Sequence, residues 1–96
     1  MALTDRVAAM LANRFGPEAG ATAALLEEAE ARVQHGQDRE RITAALVVLA
    51  DGSPDRLHEA IQLLETDWRD LLMSAELADG DWPSRLDALF GPHRPA

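Results

Sequence analysis

Few side chains here are able to do chemistry. Histidine occurs at His35, His58 and His93, and cysteine does not occur at all. Without cysteine there is no disulfide, no thiolate nucleophile and no Cys-ligated zinc or iron–sulfur cluster. Asp55 precedes His58 by three positions, a spacing that sets two candidate metal ligands on one helix face. No second pair accompanies them, and the di-iron pattern of two Glu-x-x-His pairs plus two further Glu is absent. His35 reads as a cation at a helix end, where it complements the negative terminus. His93 falls in the tail.

The hydroxyls are Thr4, Thr22, Thr43, Ser53, Thr66, Ser74 and Ser84. None sits in the Gly-x-Ser-x-Gly elbow of a hydrolase nucleophile. Met73-Ser74-Ala75 falls within a helix and does not match the Asp-Ser-Leu of a carrier protein. There is no Gly-rich phosphate loop. Paired-carboxylate catalysis needs both acids in a cleft that separates their pKa values. The acids here punctuate helix starts or lie on polar faces. The expectation is a protein that is not an enzyme, with no cofactor and no metal.

What remains is aromatic and cationic. Trp68 precedes Arg69, and Trp82 is followed by Arg85. Trp and Arg are the residues most enriched at binding hot spots. Trp68, Arg69, Trp82 and Arg85 therefore form the candidate partner surface. Against this, a Trp at a helix start packs down on its neighbour and its indole N–H finds a carbonyl.

The elements that would position these residues follow from composition. The chain has 96 residues, 47% of them hydrophobic, with 18 Ala and 14 Leu against six Val plus Ile. Ala and Leu favour helices, and the β-branched residues that favour sheets are scarce. Residues 1–91 read as one helical domain and 92–96 as a flexible tail. The net charge is −8, and all nine basic residues are Arg. Such a surface repels phosphate backbones and anionic membranes. No apolar run reaches the length of a membrane span, and the N-terminus lacks a signal-peptide pattern. The expected place is the cytoplasm. The Arg-only, Ala-rich usage suggests a high-GC genome.

Punctuation and periodicity place the helices. Segment one runs from Thr4, as N-cap, to Phe15, with Gly16-Pro17 ending it. Segment two runs from Pro17 to His35, with Gly36 as its stop and Leu25, Leu26, Ala29 and Val33 as a thin stripe. Segment three starts at the N-cap Asp38. Its run from Ile42 to Ala50 is apolar on nearly every side, which marks a buried central helix. Gly52 caps it, and Ser53-Pro54 opens the next. The spacing of Leu57, Ile61, Leu64, Trp68, Leu71, Ala75 and Ala78 then continues unbroken, but Asp67 and Asp70 give a new start signal. A break or kink near Glu65–Asp67 is predicted, with Gly80 as the stop. A short helix over 83–90 closes the domain. The sum is an all-α closed bundle of about five helices. Its core should centre on Ile42, Leu46, Leu49, Leu57, Ile61, Leu64, Trp68, Leu71 and Leu86.

The sequence also echoes itself. Leu49-Ala50-Asp51-Gly52 recurs as Leu77-Ala78-Asp79-Gly80, 28 positions later. Each copy is followed by a Pro and an Arg-Leu step. Convergent capping explains this, and so does a duplicated helical hairpin.

The stretch from Leu64 to Asp87, with Asp67-Trp68-Arg69-Asp70-Leu71-Leu72 and Asp81-Trp82-Pro83-Ser84-Arg85-Leu86, resembles the C-terminal part of small acidic helical proteins of actinobacteria. Leu49-Ala50-Asp51-Gly52 to Leu63 is similar to the same group. The likeness covers about the second half of the chain. It implies an actinobacterial source and a helical fold, and it brings no activity with it.

The functional expectation is a non-catalytic protein-interaction module, such as a small acidic adaptor, inhibitor or antitoxin-like partner. Its acidic surface would steer it toward a basic protein. The alternatives are a small-molecule-sensing bundle with an apolar pocket and, below that, helix-turn-helix DNA binding by segments three and four. Homo-oligomerisation is a further expectation, because the thin Ala-rich second segment invites a second copy.

Overall fold

The computed structural model describes residues 3–91, and the tail at 92–96 lies outside them. The helices are α1 (Asp5–Phe15), α2 (Ala19–Arg32), α3 (Arg39–Ala50), α4 (Pro54–Thr66), α5 (Trp68–Ser74) and α6 (Trp82–Phe90). A 3-10 turn over Gly16–Glu18 joins α1 to α2. The fold is all-α, with about five helices if α4 and α5 count as one bent element. Helix α3 is central: it touches α1, α2, α4, α5 and α6. Ile42, Ala44, Ala45 and Leu46 on it are fully buried, as its lack of a polar face requires.

Three starts follow their local signals. The Asp38 carboxylate accepts from the N–H groups of Glu40 and Arg41. The Ser53 hydroxyl accepts from Arg56 N–H, with Pro54 at the first position. The Asp67 carboxylate accepts from Arg69 N–H at 3.0 Å, and its own backbone is extended (φ −159, ψ 102). That residue makes the break between α4 and α5. Thr4 departs from expectation: its hydroxyl caps nothing and instead donates to Glu40.

Two helices end before their predicted stops. Helix α2 ends at Arg32, not at His35, because Val33 turns extended (φ −99, ψ 126). His35 is therefore no helix-end cation; it folds back, buried, against Glu30. Helix α5 ends at Ser74, well before Gly80. Leu77 N–H donates to Leu72 O at 2.8 Å and Glu76 N–H to Met73 O at 3.1 Å. These are the two bonds of a Schellman cap. Leu72 and Leu77, its apolar pair, are both buried.

The left-handed position of that cap holds Glu76 (φ 61) where glycine is usual. A side chain there costs about 1 kcal/mol. The Glu76 side chain is 79% exposed and stands 3.8 Å from Arg85, so little attraction is lost with it. Glu76→Gly is expected to raise stability by about 0.5–1 kcal/mol in urea unfolding. A loss would show that the carboxylate holds the turn.

Residue 51 makes the corresponding turn after α3: Asp51, not Gly52, is the left-handed cap (φ 47). Gly52 follows at φ +79, and a Cβ on it would stand 3.3 Å from the Arg14 carbonyl oxygen. Glycine is thus required where this loop crosses the end of α1. The repeated Leu-Ala-Asp-Gly is not repeated structure. Leu49 and Ala50 end a helix, whereas Leu77 and Ala78 lie outside any helix. The duplicated-hairpin reading fails on this point.

Of the expected core, Ile42, Leu46, Leu57, Ile61, Leu64, Leu71 and Leu86 are buried, while Leu49 and Trp68 are half-buried. Leu11, Leu26, Leu72 and Leu77 complete the interior. Arg6 closes it. Its guanidinium makes a two-pronged pair with Glu40, through Nε at 2.8 Å and Nη2 at 2.7 Å. Its Nη1 reaches Asp87 at 2.6 Å and the Gly91 carbonyl at 3.0 Å. One side chain thereby joins α1, α3 and α6. The Glu40 hydrogen bonds push the Arg6 pKa above its already high ordinary value, against the opposing effect of burial.

Candidate functional site

The four candidate partner residues separate into two places. Arg69 lies over the Trp68 ring, 5.3 Å from its centroid, at the start of α5. Trp82, at the start of α6, carries Arg41 over its ring at 5.3 Å. Arg85 turns away to Asp81 at 3.6 Å and Glu76 at 3.8 Å. Both indoles are half-buried against the core.

Arg41 explains the position of Trp82. Its Nε donates to Leu77 O and its Nη2 to Ala78 O, each at 2.8 Å. Its Nη1 donates to Gln37 at 2.7 Å. The guanidinium satisfies the carbonyls of the loop between α5 and α6, and its outer face stacks on the indole. No sequence spacing announces a contact between residues this far apart.

The only buried histidine among the described residues has both ring nitrogens engaged. His35 Nδ1 accepts from Gln37 N–H at 2.9 Å. That fixes the proton on Nε2, which donates to Glu30 at 3.0 Å. Arg39 Nε stands 3.2 Å from the other Glu30 oxygen. Its N–H does not aim at that oxygen, which has no hydrogen-bond donor. With both ring nitrogens committed to its own chain, this histidine pins the α2–α3 connection. Asp55 and His58 are exposed on α4. Among the described residues no group of His, Asp and Glu is arranged to hold a metal ion. Nor is any helix among them long and apolar enough to cross a membrane.

The surface of α3 is the larger feature. Helix α6 has nine residues and covers α3 only in part. Val48 and Leu49 stay half-buried, on the floors of shallow grooves. One groove, of about 190 Å³, runs between Met10, Arg14, Val47, Val48, Asp51, Leu89 and Phe90. A second, of about 170 Å³, shares Val48 and Leu89 with it and adds Ala75, Glu76, Arg85 and Ala88. Leu89, 47% exposed, stands as the ridge between them. A third, of about 510 Å³, lies between Leu49, Arg56, Glu59, Ala60, Leu63 and Ser74, toward α4.

Charge rims this apolar floor. An Arg14–Asp51 ion pair borders the first groove and an Arg85–Glu76 pair the second. Asp51 and Glu76 are the two non-glycine residues with positive φ among those described. Both strained positions therefore carry a carboxylate to the edge of the same surface. Sequence reasoning missed it, because an all-apolar helix predicts burial and the length of α6 decides where burial stops. No family model, no curated protein and no solved structure matches this chain.

Proposed function

We propose that the chain is a protein-interaction module that docks an apolar helix face of another protein across the ridge at Leu89. The observation that supports this most is the incomplete cover of α3. A helix apolar on every side presents Val48 between two grooves that share it. Apolar surface rimmed by charge is the usual form of a protein-binding site. An amphipathic helix presents side chains at three- and four-residue spacing, which suits two short grooves either side of one leucine. Each groove holds under 200 Å³, less than a drug-sized ligand needs, which fits the side chains of a protein segment better. The net charge of −8 steers the choice toward a partner with basic flanks. The exposed side of α4 carries Asp55, Glu59 and Glu65 against Arg56 and His58. That balance disfavours it as a reader of DNA.

The test is differential capture. Immobilised native chain and its Leu89→Glu variant are offered the same native lysate. Arg69→Ala, whose change lies on α5 away from both grooves, is the control. A partner held by the native chain and by Arg69→Ala, and weakened at least about tenfold by Leu89→Glu, is the expected result. Equal retention by all three, or loss with Arg69→Ala alone, would move the site elsewhere.

A further inference from the structure

The third groove has charge properties the other two lack. Arg14 and Arg85 are paired within the chain. Every described arginine but Arg56 reaches an acid, a backbone carbonyl or an indole of its own chain. In a chain with 17 acids against nine arginines, a guanidinium that meets neither an acid, a carbonyl nor an indole of its own chain is unexpected. Glu59, one turn further along α4, has no cationic partner among the described residues either. Both line the same groove, over a floor of Leu49, Ala60 and Leu63.

We propose that this groove is the contact between two copies of the chain, related by a two-fold axis. In such a contact the same patch meets itself, so a residue i that touches j is mirrored by j touching i. Each Arg56 then faces the other copy's Glu59, twice over, and the apolar floor of each is closed by the other. An acidic partner would satisfy Arg56 and leave Glu59 opposed; a basic partner would do the reverse. A second copy satisfies both. Two chains of charge −8 repel one another in general. Their association therefore belongs where opposite charges face each other, as they do here. This contact is separate from the docking ridge at Leu89 and leaves it open.

Sedimentation equilibrium over a concentration series tests the proposal. The native chain is expected to dimerise, less tightly as salt is raised. Arg56→Glu and Glu59→Arg should each weaken the dimer about tenfold or more, since like charges then meet twice. The double variant R56E/E59R should restore it. An equimolar mixture of the two single variants should form a mixed dimer, which also shows that each still folds. A native chain that stays monomeric at about 1 mM overturns the proposal. So does failure of both the double variant and the mixture to associate. Leu89→Glu should leave the dimer intact; a dimer that it breaks lies on the other face, and the assignment to α4 falls.

Discussion

Replacing Arg6 with Met is expected to destabilise the fold by about 3–5 kcal/mol, the largest effect of any single surface-adjacent change. The Arg6 and Glu40 side chains are only 9% and 12% exposed. Removing the guanidinium takes away both prongs of the pair from the largely buried Glu40 carboxylate. It also frees Asp87 and the Gly91 carbonyl. Taking one partner from a largely buried pair costs far more than the pair itself contributes. The double change Arg6→Met with Glu40→Leu should therefore recover much of the loss. Urea unfolding followed by circular dichroism gives both values. A domain of this size has about 5–15 kcal/mol in total, so the single variant approaches its limit. The pKa of Arg6 is raised, so the charged form is bound more strongly in the fold than in the open chain. The stability linked to it is complete below the ordinary guanidinium range and fades only above it. Raising the pH to about 10 should not release this clasp. A single variant that unfolds within about 1 kcal/mol of the native chain would show that Glu40 finds another partner.

Leu77→Ala should cost about 2–5 kcal/mol, as much as a loss from the middle of a helix. Leu77 lies outside every helix, yet none of its surface is exposed. Its N–H closes the Schellman cap and its carbonyl accepts from Arg41. Both are backbone bonds that alanine keeps. The loss therefore measures side-chain packing alone: the missing methyl groups and the cavity left beside Leu72. Met73→Ala is the comparison, because Met73 is 65% exposed and should change stability by less than about 0.5 kcal/mol. Equal effects at the two positions would mean that the loop closes over the space.

Three helix starts were legible in the sequence because they are local. Asp38, Ser53 and Asp67 each bond an N–H two or three residues further on, and no distant part of the chain takes part. The ends at Phe15, Ala50 and Phe90 were legible too, but two others were not. Gly36 and Gly80 look like stops, but the chain leaves the helix earlier, at Val33 and Glu76. What decides those places is burial of His35 against Glu30 and of Leu77 against Leu72. These are tertiary gains, which periodicity does not weigh. Arg41 shows the same limit. Read along the sequence it is a polar residue in the first turn of α3, and only the fold brings it to Trp82. The candidate surface was read from residue type, which pointed to the tryptophans. The apolar floor at Val48 depends instead on how far α6 reaches, and that at Leu49 on the space between α4 and α5.

The Arg6 clasp also governs how the molecule opens. It holds the beginning and the end of the described chain on one guanidinium, so neither terminal helix frays alone. If α1 lifts, Asp87 and the Gly91 carbonyl lose their donor and α6 loosens with it. Met10 and Leu89 border Val48 from these two helices, so the same event bares the central helix. Amide exchange in the first and last helices then proceeds as one cooperative unit, and the surface offered to a partner widens or narrows with it.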